Sequence, residues 1–377
     1  MKGKQGMVCM GLLLVLSSCH TGKQITASGL QRKDFQTEVN GQHTDLFTLS
    51  NKQGMEVCIT NYGARVVSIL VPDRNGKRED VVCGFSTITE YMEQRQNFGS
   101  TVGRYIGRIL NARFTLDGVE YKLVPNNGKS GHISHGGNPG FADRIWKVEQ
   151  ADTHRVRLSY LSPDGENGFP GNLKVTLVYS LGEDDNALDL TYEATTDAPT
   201  VLNLSHHSFF NISGNFTKSV EDQQLWVDAD RFTPYDDKKC VTGEYLQVAG
   251  TPLDFRMPHA IGECIDADHP QLKVVNGYDH TWELNTKGDD TRPAAWVDDP
   301  ASGRKMEIFT TEPGMQIYTG NGLKGKMTGK RGIAYPFRSA VCFETMHFQD
   351  SPNQPGFPST VLRPGEVFRS HTVYKFE

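Results

Sequence analysis

Two segments of this chain place an acid–base side chain in apolar surroundings. Residues 201–214, VLNLSHHSFFNISG, contain no Asp, Glu, Lys or Arg, yet they hold His206 and His207. Residues 340–348, AVCFETMHF, hold a single acid, Glu344. A buried polar group needs a partner, so these side chains are either satisfied structurally or positioned for chemistry. A carboxyl in apolar surroundings tends to have a raised pKa, which suits a general acid or base near neutral pH.

Both segments have the composition of β-strands, and strand geometry limits which side chains can act together. Successive side chains of a strand point to opposite faces. His207 therefore shares a face with Phe209, and His206 shares the other face with Ser208. Only one of the two histidines can face a given site. For Glu344 the alternative is the exposed face of an edge strand.

A glycine-rich segment, residues 97–111, carries Arg104 and Arg108. Arginine presents a fixed fork of donors that suits hydroxyl or carboxylate oxygens. The glycine spacing GxxxGxxxG, with no Lys-Ser/Thr after it, matches a phosphate-binding loop only weakly. A structural ion pair is the alternative for either arginine.

Two further segments contain more polar residues than core packing requires. In residues 131–137, GHISHGG, His132 and His135 would face opposite ways in an extended chain, which disfavours a chelating pair. A ligand can approach His135 closely because the two glycines after it have no Cβ. In residues 276–282, NGYDHTW, Asp279 is flanked by aromatic residues that could form the wall of a sugar site, although the first four residues alone are typical of a turn.

The elements that must position these residues are strands. Short apolar or alternating runs recur between turn signals, and the pairs Asn75-Gly76 and Asp117-Gly118 predict tight hairpin turns. No sustained helical stripe and no fixed-period repeat interrupts this pattern. The sequence predicts an all-β, many-stranded antiparallel fold in one continuous domain over residues 34–377. The net charge of −6, without a long basic run, gives no electrostatic footprint for nucleic acid.

The N-terminus has the pattern of a targeting segment. Lys2 and Lys4 precede an apolar stretch at residues 7–16, which is too short to span a bilayer. The Leu-Ser-Ser-Cys that follows resembles a bacterial lipobox. It implies a signal peptide at residues 1–18, lipidation of Cys19 and a lipidated tether at residues 19–33. We therefore expect the protein in the bacterial cell envelope, on the periplasmic or the outer-membrane face, with an ordinary signal peptide as the alternative.

The seven cysteines include no CxxC pair, and nothing in their spacing resembles a zinc site. Cys58, Cys83 and Cys342 lie in apolar strand-like runs, which favours buried free thiols. In an oxidising compartment Cys240 and Cys264 could form a disulfide, and the sequence leaves this open.

Taken together, the motifs resemble the aldose 1-epimerase (galactose mutarotase) family. They occur in family order over nearly the whole mature chain: NYGARVVSILVPDRNGK, FGSTVGRYIGRI, FTLDGVEYKL, HGGNPGF, SPDGENGFPGNL, LNLSHHSFFNISG, TPLDFR, NGYDHTW, PGMQIYTGN, FETMHF and NQPGFPSTVLRPGE. The resemblance implies a large antiparallel β-sandwich of the galactose mutarotase-like supersandwich type, with an open cleft. It also implies interconversion of the α and β anomers of free aldoses without a cofactor or a metal. We expect a monomer.

The resemblance also implies roles for individual residues. His207 matches the general acid that protonates the ring oxygen, and Glu344 matches the general base that takes the proton of the C1 hydroxyl. Four residues match positions that hold sugar hydroxyls: Arg108, His135, Asp279 and Gln316. We add to this substrate-binding set the neighbours of the matched arginine and of the acid: Gly107, Ser208 and Phe209.

The chain departs from the family pattern near the expected cleft. Gly107 stands where an Asn often precedes the arginine, Phe209 where Tyr is common, and Met346 where Gln is frequent after the base. These changes leave the acid–base pair intact and bear on the preferred sugar. Two alternatives remain: a carbohydrate-binding lipoprotein without turnover, and a metal hydrolase using His132, His135 and His207.

Overall fold

The computed structural model of the protein describes residues 24–377. The predicted signal peptide at residues 1–18 and the predicted lipidation site Cys19 lie outside the described residues, as do residues 20–23 of the predicted tether.

Strands dominate the described chain. The first fifteen are β1 Glu38–Val39, β2 Gln42–His43, β3 Leu46–Ser50, β4 Glu56–Thr60, β5 Arg65–Pro72, β6 Arg78–Asp80, β7 Ser100–Val102, β8 Arg108–Ile109, β9 Arg113–Leu116, β10 Val119–Lys122, β11 Ile133–Ser134, β12 Lys147–Ala151, β13 Arg155–Ser162, β14 Leu173–Leu181 and β15 Ala187–Thr196. They continue as β16 Thr200–Val201, β17 Ser205–His207, β18 Phe209–Phe210, β19 Gln224–Val227, β20 Arg231–Thr233, β21 Leu246–Gln247, β22 His259–Ala260, β23 Asp279–Glu283, β24 Ala295–Asp298, β25 Lys305–Thr310, β26 Gly314–Tyr318, β27 Val341–Met346, β28 Val361–Leu362 and β29 Phe368–Phe376.

The helices are short. Within residues 24–377 there are two α-helices, α1 Ile88–Gln94 and α2 Pro270–Val275. Single 3-10 turns occur at Arg32–Phe35, Leu110–Ala112, Gly128–Ser130, Phe141–Asp143, Glu166–Gly168, Lys330–Gly332 and Ser351–Asn353. Neither α-helix of this part of the chain has the length and apolar character needed to cross a membrane.

Three sheets form the body of the fold. A nine-stranded sheet has the order β12-β13-β14-β15-β29-β25-β24-β19-β22, a six-stranded sheet β18-β27-β26-β23-β20-β21, and a four-stranded sheet β3-β4-β5-β6. Neighbouring strands within the three sheets run antiparallel, as in the β14–β15, β26–β27 and β4–β5 pairs. The prediction of a large antiparallel β-sandwich is therefore confirmed.

The main core lies between the nine-stranded sheet and the other two sheets. Strands β14 and β15 alternate buried and more exposed residues, because only one of their faces packs inward. Across the core, the Tyr374 ring of β29 lies 5.1 Å from the Phe210 ring of β18, and the Tyr374 hydroxyl donates to the Phe343 carbonyl of β27 at 2.9 Å. Strand β27 is buried along its whole length, so its second face must be covered as well.

Residues 24–33, predicted as part of the tether at residues 19–33, pack onto the four-stranded sheet. The backbone N–H groups of Ala27 and Ser28 donate to the Glu56 carboxylate at 3.0 and 3.1 Å. The structure thus starts the folded domain earlier than the sequence predicted. The reason is physical: the segment is held by these backbone donors, by the Arg32–Asp45 ion pair and by the buried Leu30, and such scattered contacts leave no periodic side-chain signal.

The hairpin predictions are confirmed, and one strand prediction needs correction. Asn75-Gly76 lies between β5 and β6, and Asp117-Gly118 joins β9 to β10. Residues 201–214, predicted as one strand ending in a turn, instead form several short strands that pair with different partners: β16 with β28, β17 with β7 and β18 with β27. The chain crosses from one sheet to the next here, so a single ladder does not form.

Candidate active site

A polar cavity of about 250 Å³ opens over the six-stranded sheet. Its volume is just below the range of about 300–1,000 Å³ typical of pockets for drug-sized ligands, which indicates a small ligand. The cavity is lined by Gln96, Asn97, Gly107, Arg108, Ser134, His135, His207, Phe209, Asp279, Gln316, Tyr318, Glu344, Met346 and Gln349. Most of the residues that the sequence singled out therefore converge on one cavity.

His207 and Glu344 form the floor of this cavity. His207 ends β17, whose pairing with β7 sets it opposite Ser100, and Glu344 lies within β27, opposite Gln316 of β26. The Nε2 atom of His207 lies 3.2 Å from Oε1 of Glu344, and both side chains are almost completely buried. The alternative of an exposed edge-strand face for Glu344 is excluded, because β27 has a neighbour on each side.

Burial shifts the proton affinities of these two groups in opposite directions. Burial, followed by the nearby His135, lowers the pKa of His207 well below its ordinary value. Burial, followed by Asp279, raises the pKa of Glu344 well above its ordinary value. Each shift favours the uncharged form of its group.

The two shifts together favour a pair that holds a single proton. That proton can sit on Glu344, giving imidazole and carboxylic acid, or on His207, giving imidazolium and carboxylate. Both arrangements have zero net charge, so the proton can change sides without placing an isolated charge in the cavity. Such a pair can donate one proton and accept another in the same step.

The ring of Phe209 covers His207. The two rings are stacked, with centroids 5.1 Å apart and planes 19° apart, while Phe98 and Tyr318 pack edge-on against Phe209. This aromatic wall keeps water from one face of the imidazole, which is a physical cause of its lowered pKa.

A network of amides and a carboxylate forms the opposite wall. Gln316 Nε2 donates to Asp279 Oδ1 at 2.7 Å, and Thr281 Oγ1 donates to Gln316 Oε1 at 2.5 Å. These bonds fix which end of the Gln316 amide faces Asp279. Burial raises the pKa of Asp279, while Arg108 and the Gln316 hydrogen bond act in the opposite sense. A carboxylate held in this way is suited to accept hydrogen bonds from ligand hydroxyls.

Arg108 and His135 complete the polar lining. Arg108 is half-buried in β8 and pairs with Ser134 of β11, which brings the following His135 to the cavity. Burial, followed by the charge of Arg108, lowers the pKa of His135 to about 4, so its imidazole is neutral at neutral pH. Its Nδ1 atom is buried and has no hydrogen-bond partner within residues 24–377, which leaves it available to a ligand.

The glycines after His135 serve packing against the backbone, which corrects the expectation that they open a path for a ligand. Gly136 has a φ of +77°, and a Cβ there would lie 2.0 Å from the Gly103 carbonyl oxygen. Gly137 has a φ of +102° and faces the Asn167 side chain. Both positions require glycine for its left-handed backbone and for the close approach of neighbouring chain.

Two other predictions of cavity residues are wrong. Ser208 does not line the cavity: its hydroxyl is buried 2.7 Å from Nε2 of His206, on the face opposite His207. The aromatic residues beside Asp279 belong to the core, where the Tyr278 hydroxyl and the Trp282 indole donate to backbone carbonyls. Strand alternation sends neighbours of a cavity residue to the far side of the sheet.

Arg104 is structural. It is buried and donates to the carbonyls of Ser162, Pro163, Pro170 and Gly171. These loop carbonyls would otherwise be buried without partners.

One group of side chains in the described residues has the spacing of metal ligands: His207, Cys342 and Glu344, whose ligand atoms all lie within 4.8 Å of one another. A metal ion there would engage the His207–Glu344 pair and block proton transfer through it. His132, which the metal-hydrolase alternative requires, lies elsewhere: its Nδ1 accepts from the Asn111 N–H, and its Nε2 lies 3.2 Å from Cys240 Sγ. That alternative therefore loses one ligand.

Both Cys240 and Cys264 are free thiols, so the disulfide left open by the sequence is not formed.

Several lining residues were not predicted as ligand contacts, notably Gln349, Tyr318 and Asn97. Tyr318 ends β26 two residues after Gln316, on the same face, and this spacing could have identified it. Gln349 lies beyond the end of β27, where strand alternation no longer applies. Asn97 precedes β7 in a turn, and its position follows only from the folded chain.

Known proteins resemble this chain over most of its length. The sequence model of the aldose 1-epimerase family matches residues 45–375. Galactose mutarotase from Bos taurus is 40% identical over 331 residues, covering 88% of this chain and 93% of the bovine protein. Aldose 1-epimerase from Escherichia coli K12 is 36% identical over 340 residues, covering 89% and 96%.

Solved structures agree with the sequence relatives. A GalM/aldose epimerase homologue from C. elegans superposes with a TM-score of 0.81 at 31% identity, covering 89% of this chain and 99% of its own. A galactose 1-epimerase from Lactobacillus acidophilus has a TM-score of 0.78 at 28% identity, with coverages of 90% and 96%.

Proposed function

The chain belongs to the aldose 1-epimerase family and interconverts the anomers of an aldose, and from that premise we propose that His207 and Glu344 carry out the reaction. His207 acts as the general acid on the ring oxygen of the sugar, and Glu344 acts as the general base on its C1 hydroxyl. Both oxygens are bonded to the same carbon, so an acid and a base that act on them must lie close together.

The reaction needs only proton transfers and one bond cleavage. His207, as imidazolium, gives its Nε2 proton to the ring oxygen while Glu344, as carboxylate, takes the proton of the C1 hydroxyl. The bond between C1 and the ring oxygen breaks, its electron pair goes to the ring oxygen, and C1 becomes an aldehyde. After C1 rotates about its bond to C2, the hydroxyl proton returns to His207, Glu344 returns a proton to the C1 oxygen, and the ring closes as the other anomer.

The observation that carries this assignment is the distance of 3.2 Å between His207 Nε2 and Glu344 Oε1 inside a polar cavity. The pair is in its imidazolium–carboxylate form when the sugar ring is closed. It is in its imidazole–carboxylic acid form when the sugar is the open aldehyde. The pair thus begins and ends each half-reaction with one proton. Each proton transfer of this kind typically contributes about 10²–10⁴-fold to the rate.

Four polar residues hold the sugar above the pair. Arg108 and His135 present donors or a free ring nitrogen from one side, and Asp279 and Gln316 present a carboxylate and an amide from the other. We propose an aldohexose of the glucose or galactose type as substrate, because these groups suit a ligand with hydroxyls on most of its carbons.

Polarimetry of freshly dissolved α-galactose and α-glucose tests this function. The purified protein should accelerate the approach to anomeric equilibrium over the spontaneous rate, and a coupled sugar dehydrogenase assay should give the same ranking of the two sugars. Absence of acceleration, with sugar binding still measurable by calorimetry, would support the alternative of a carbohydrate-binding lipoprotein without turnover.

We further propose that the enzyme acts as a monomer, lipid-anchored through Cys19 in the bacterial cell envelope on the periplasmic or outer-membrane face. The lipobox-like Leu-Ser-Ser-Cys supports the anchor. The monomer is supported by a cavity whose acid, base and polar lining all come from one chain.

A further inference from the structure

Gln349 occupies the space next to Gly107 in the active-site cavity. Gly107 has a φ of +75°, and a Cβ built there would lie 2.5 Å from Cγ of Gln349. Both residues line the cavity, and the Gln349 side chain is 5% exposed. A side chain at position 107 and the present side chain at position 349 therefore exclude each other.

The Gln349 amide is fixed in orientation. Its Nε2 donates to the Tyr235 hydroxyl at 2.7 Å and to Gln316 Oε1 at 3.3 Å, which uses both amide hydrogens. Its Oε1 accepts from the Arg108 backbone N–H at 3.3 Å. An amide oxygen has two lone pairs, so one remains available to a ligand in the cavity.

The backbone beside Gln349 is held as firmly as its side chain. The N–H of Asp350 donates to the Arg108 carbonyl at 2.8 Å, and Asp350 Oδ1 accepts from the Leu110 N–H at 2.9 Å. The segment after β27 is thus fixed along β8. A ligand would meet a preorganised acceptor, which reduces the entropy lost on binding.

We infer that Gln349 is a substrate-binding residue of this enzyme, and that its amide oxygen accepts a hydrogen bond from a sugar hydroxyl in place of the Asn often found at position 107. Gly107 is then needed chiefly for the room it leaves for Gln349. This inference rests on the proposed mutarotase function and assigns one more contact within the same site.

Kinetics of Gln349→Ala with a series of monodeoxy sugars test this contact. For the full sugar we expect KM to rise about fivefold to tenfold, the effect of one neutral hydrogen bond, with kcat within about twofold of the wild type. For the deoxy sugar that lacks the contacted hydroxyl, the wild type and Gln349→Ala should have equal KM values. Gln53→Ala, the same change at an exposed residue outside the cavity lining, should alter neither constant.

A purely structural role would give a different pattern. It would lower kcat, or raise KM by the same factor for every deoxy sugar, and either result would overturn the inference. If the wild type itself fails to accelerate mutarotation, the proposed function fails instead. Calorimetric titration of wild type and Gln349→Ala with the same sugars then still tests the contact: an equal affinity for every sugar would overturn it.

Substitutions at position 107 test whether a side chain there and the Gln349 side chain exclude each other. Gly107→Asn alone should weaken sugar binding and lower the thermal unfolding temperature, because its Cβ meets Gln349. Combined with Gln349→Ala it should recover KM to within about threefold of the wild type, since Asn tolerates a positive φ. A neutral effect of Gly107→Asn alone would contradict the exclusion of one side chain by the other.

Discussion

Nε2 of His207 lies 3.2 Å from Oε1 of Glu344, although the two residues belong to different sheets. His207 reaches this position on the short strand β17, paired with β7, and Glu344 reaches it from within the fully buried strand β27. The two groups come from strands about 140 residues apart in the sequence, and only the folded chain brings them within reach of two oxygens on one carbon. The fold contributes to catalysis mainly by placing these two strands side by side.

We expect His207→Asn and Glu344→Gln each to lower kcat by at least about a hundredfold while leaving thermal unfolding nearly unchanged. Because the two groups share one proton, the double variant should be little worse than the slower single variant. His206→Asn is the matched control: His206 faces away and contacts Ser208, so we expect kcat within about threefold and a loss of about 1–3 kcal/mol in the free energy of unfolding. Rates near the wild type in either catalytic variant would contradict the roles assigned.

The pH dependence of kcat/KM should be bell-shaped. Activity requires exactly one proton on the pair. A second proton is taken up only as the pH falls below the pKa of His207, which burial lowers well below its ordinary value of 6.5. The shared proton is lost only above the pKa of Glu344, which burial raises well above 4.5.

The acid limb of this profile should therefore lie below pH 6.5. His135, with a pKa of about 4, titrates in the same low range and does not move the limb upward. Initial rates corrected for spontaneous and buffer-catalysed mutarotation would measure the profile. An acid limb at pH 6.5 or above would show that His207 is not desolvated in the active enzyme.

Arg108 should contribute mainly to sugar binding. A hydrogen bond from a charged donor is typically worth about 1.5–3 kcal/mol, so we expect Arg108→Ala to raise KM about 10- to 100-fold with a smaller change in kcat. Arg108→Lys should be intermediate, because it keeps the charge and loses the planar fork. Lys239→Ala removes an exposed positive charge near the cavity without removing a lining side chain, and it should leave KM within about twofold.

Strand alternation predicted the division of labour between the two histidines. The rings of His207 and Phe209 stack in the cavity, and His206 contacts Ser208 on the other face. The prediction held although residues 201–214 are not one strand, because the short strands β17 and β18 follow each other with the alternation preserved. Alternation limited the cavity to one of the two histidines, the family resemblance selected His207, and the structure places His207 with most of the predicted polar residues around one cavity.

The rest of the site depends on contacts that have no local signal. Gln349 reaches the cavity because Asp350 docks on β8, a pairing between segments far apart in the chain. Residues 24–33 pack through backbone N–H groups on Glu56 and through the scattered side chains of Leu30 and Arg32, which form no periodic pattern. Gly136 is glycine because of the Gly103 carbonyl, and only the folded backbone reveals that neighbour.

A buried ion pair at the end of β6, in the four-stranded sheet, should be costly to break. Lys330 Nζ lies 2.6 Å from Asp80 Oδ2, and the two side chains are only 8% and 7% exposed. Asp80→Asn leaves the ammonium group buried without a counter-charge, with the Val67 carbonyl as a remaining acceptor, so we expect a loss of about 3–5 kcal/mol in the free energy of unfolding. Adding Lys330→Met should restore part of this loss, and urea denaturation would measure both. A loss below about 1 kcal/mol for Asp80→Asn would contradict the burial of the pair.

The lipid anchor can be tested through Cys19, which lies outside the described residues. If Cys19 is acylated, five residue steps separate it from Gln24, so the extended chain spans at most about 18 Å. Because residues 24–33 are packed on the domain, the enzyme would be held close to the bilayer surface. We expect Cys19→Ser to move the protein from the membrane to the soluble fraction and to remove the lipid from its mass, whereas Cys264→Ser should change neither. A wild-type protein that carries no lipid on Cys19 would contradict the anchor and would leave an ordinary signal peptide to account for the N-terminal pattern.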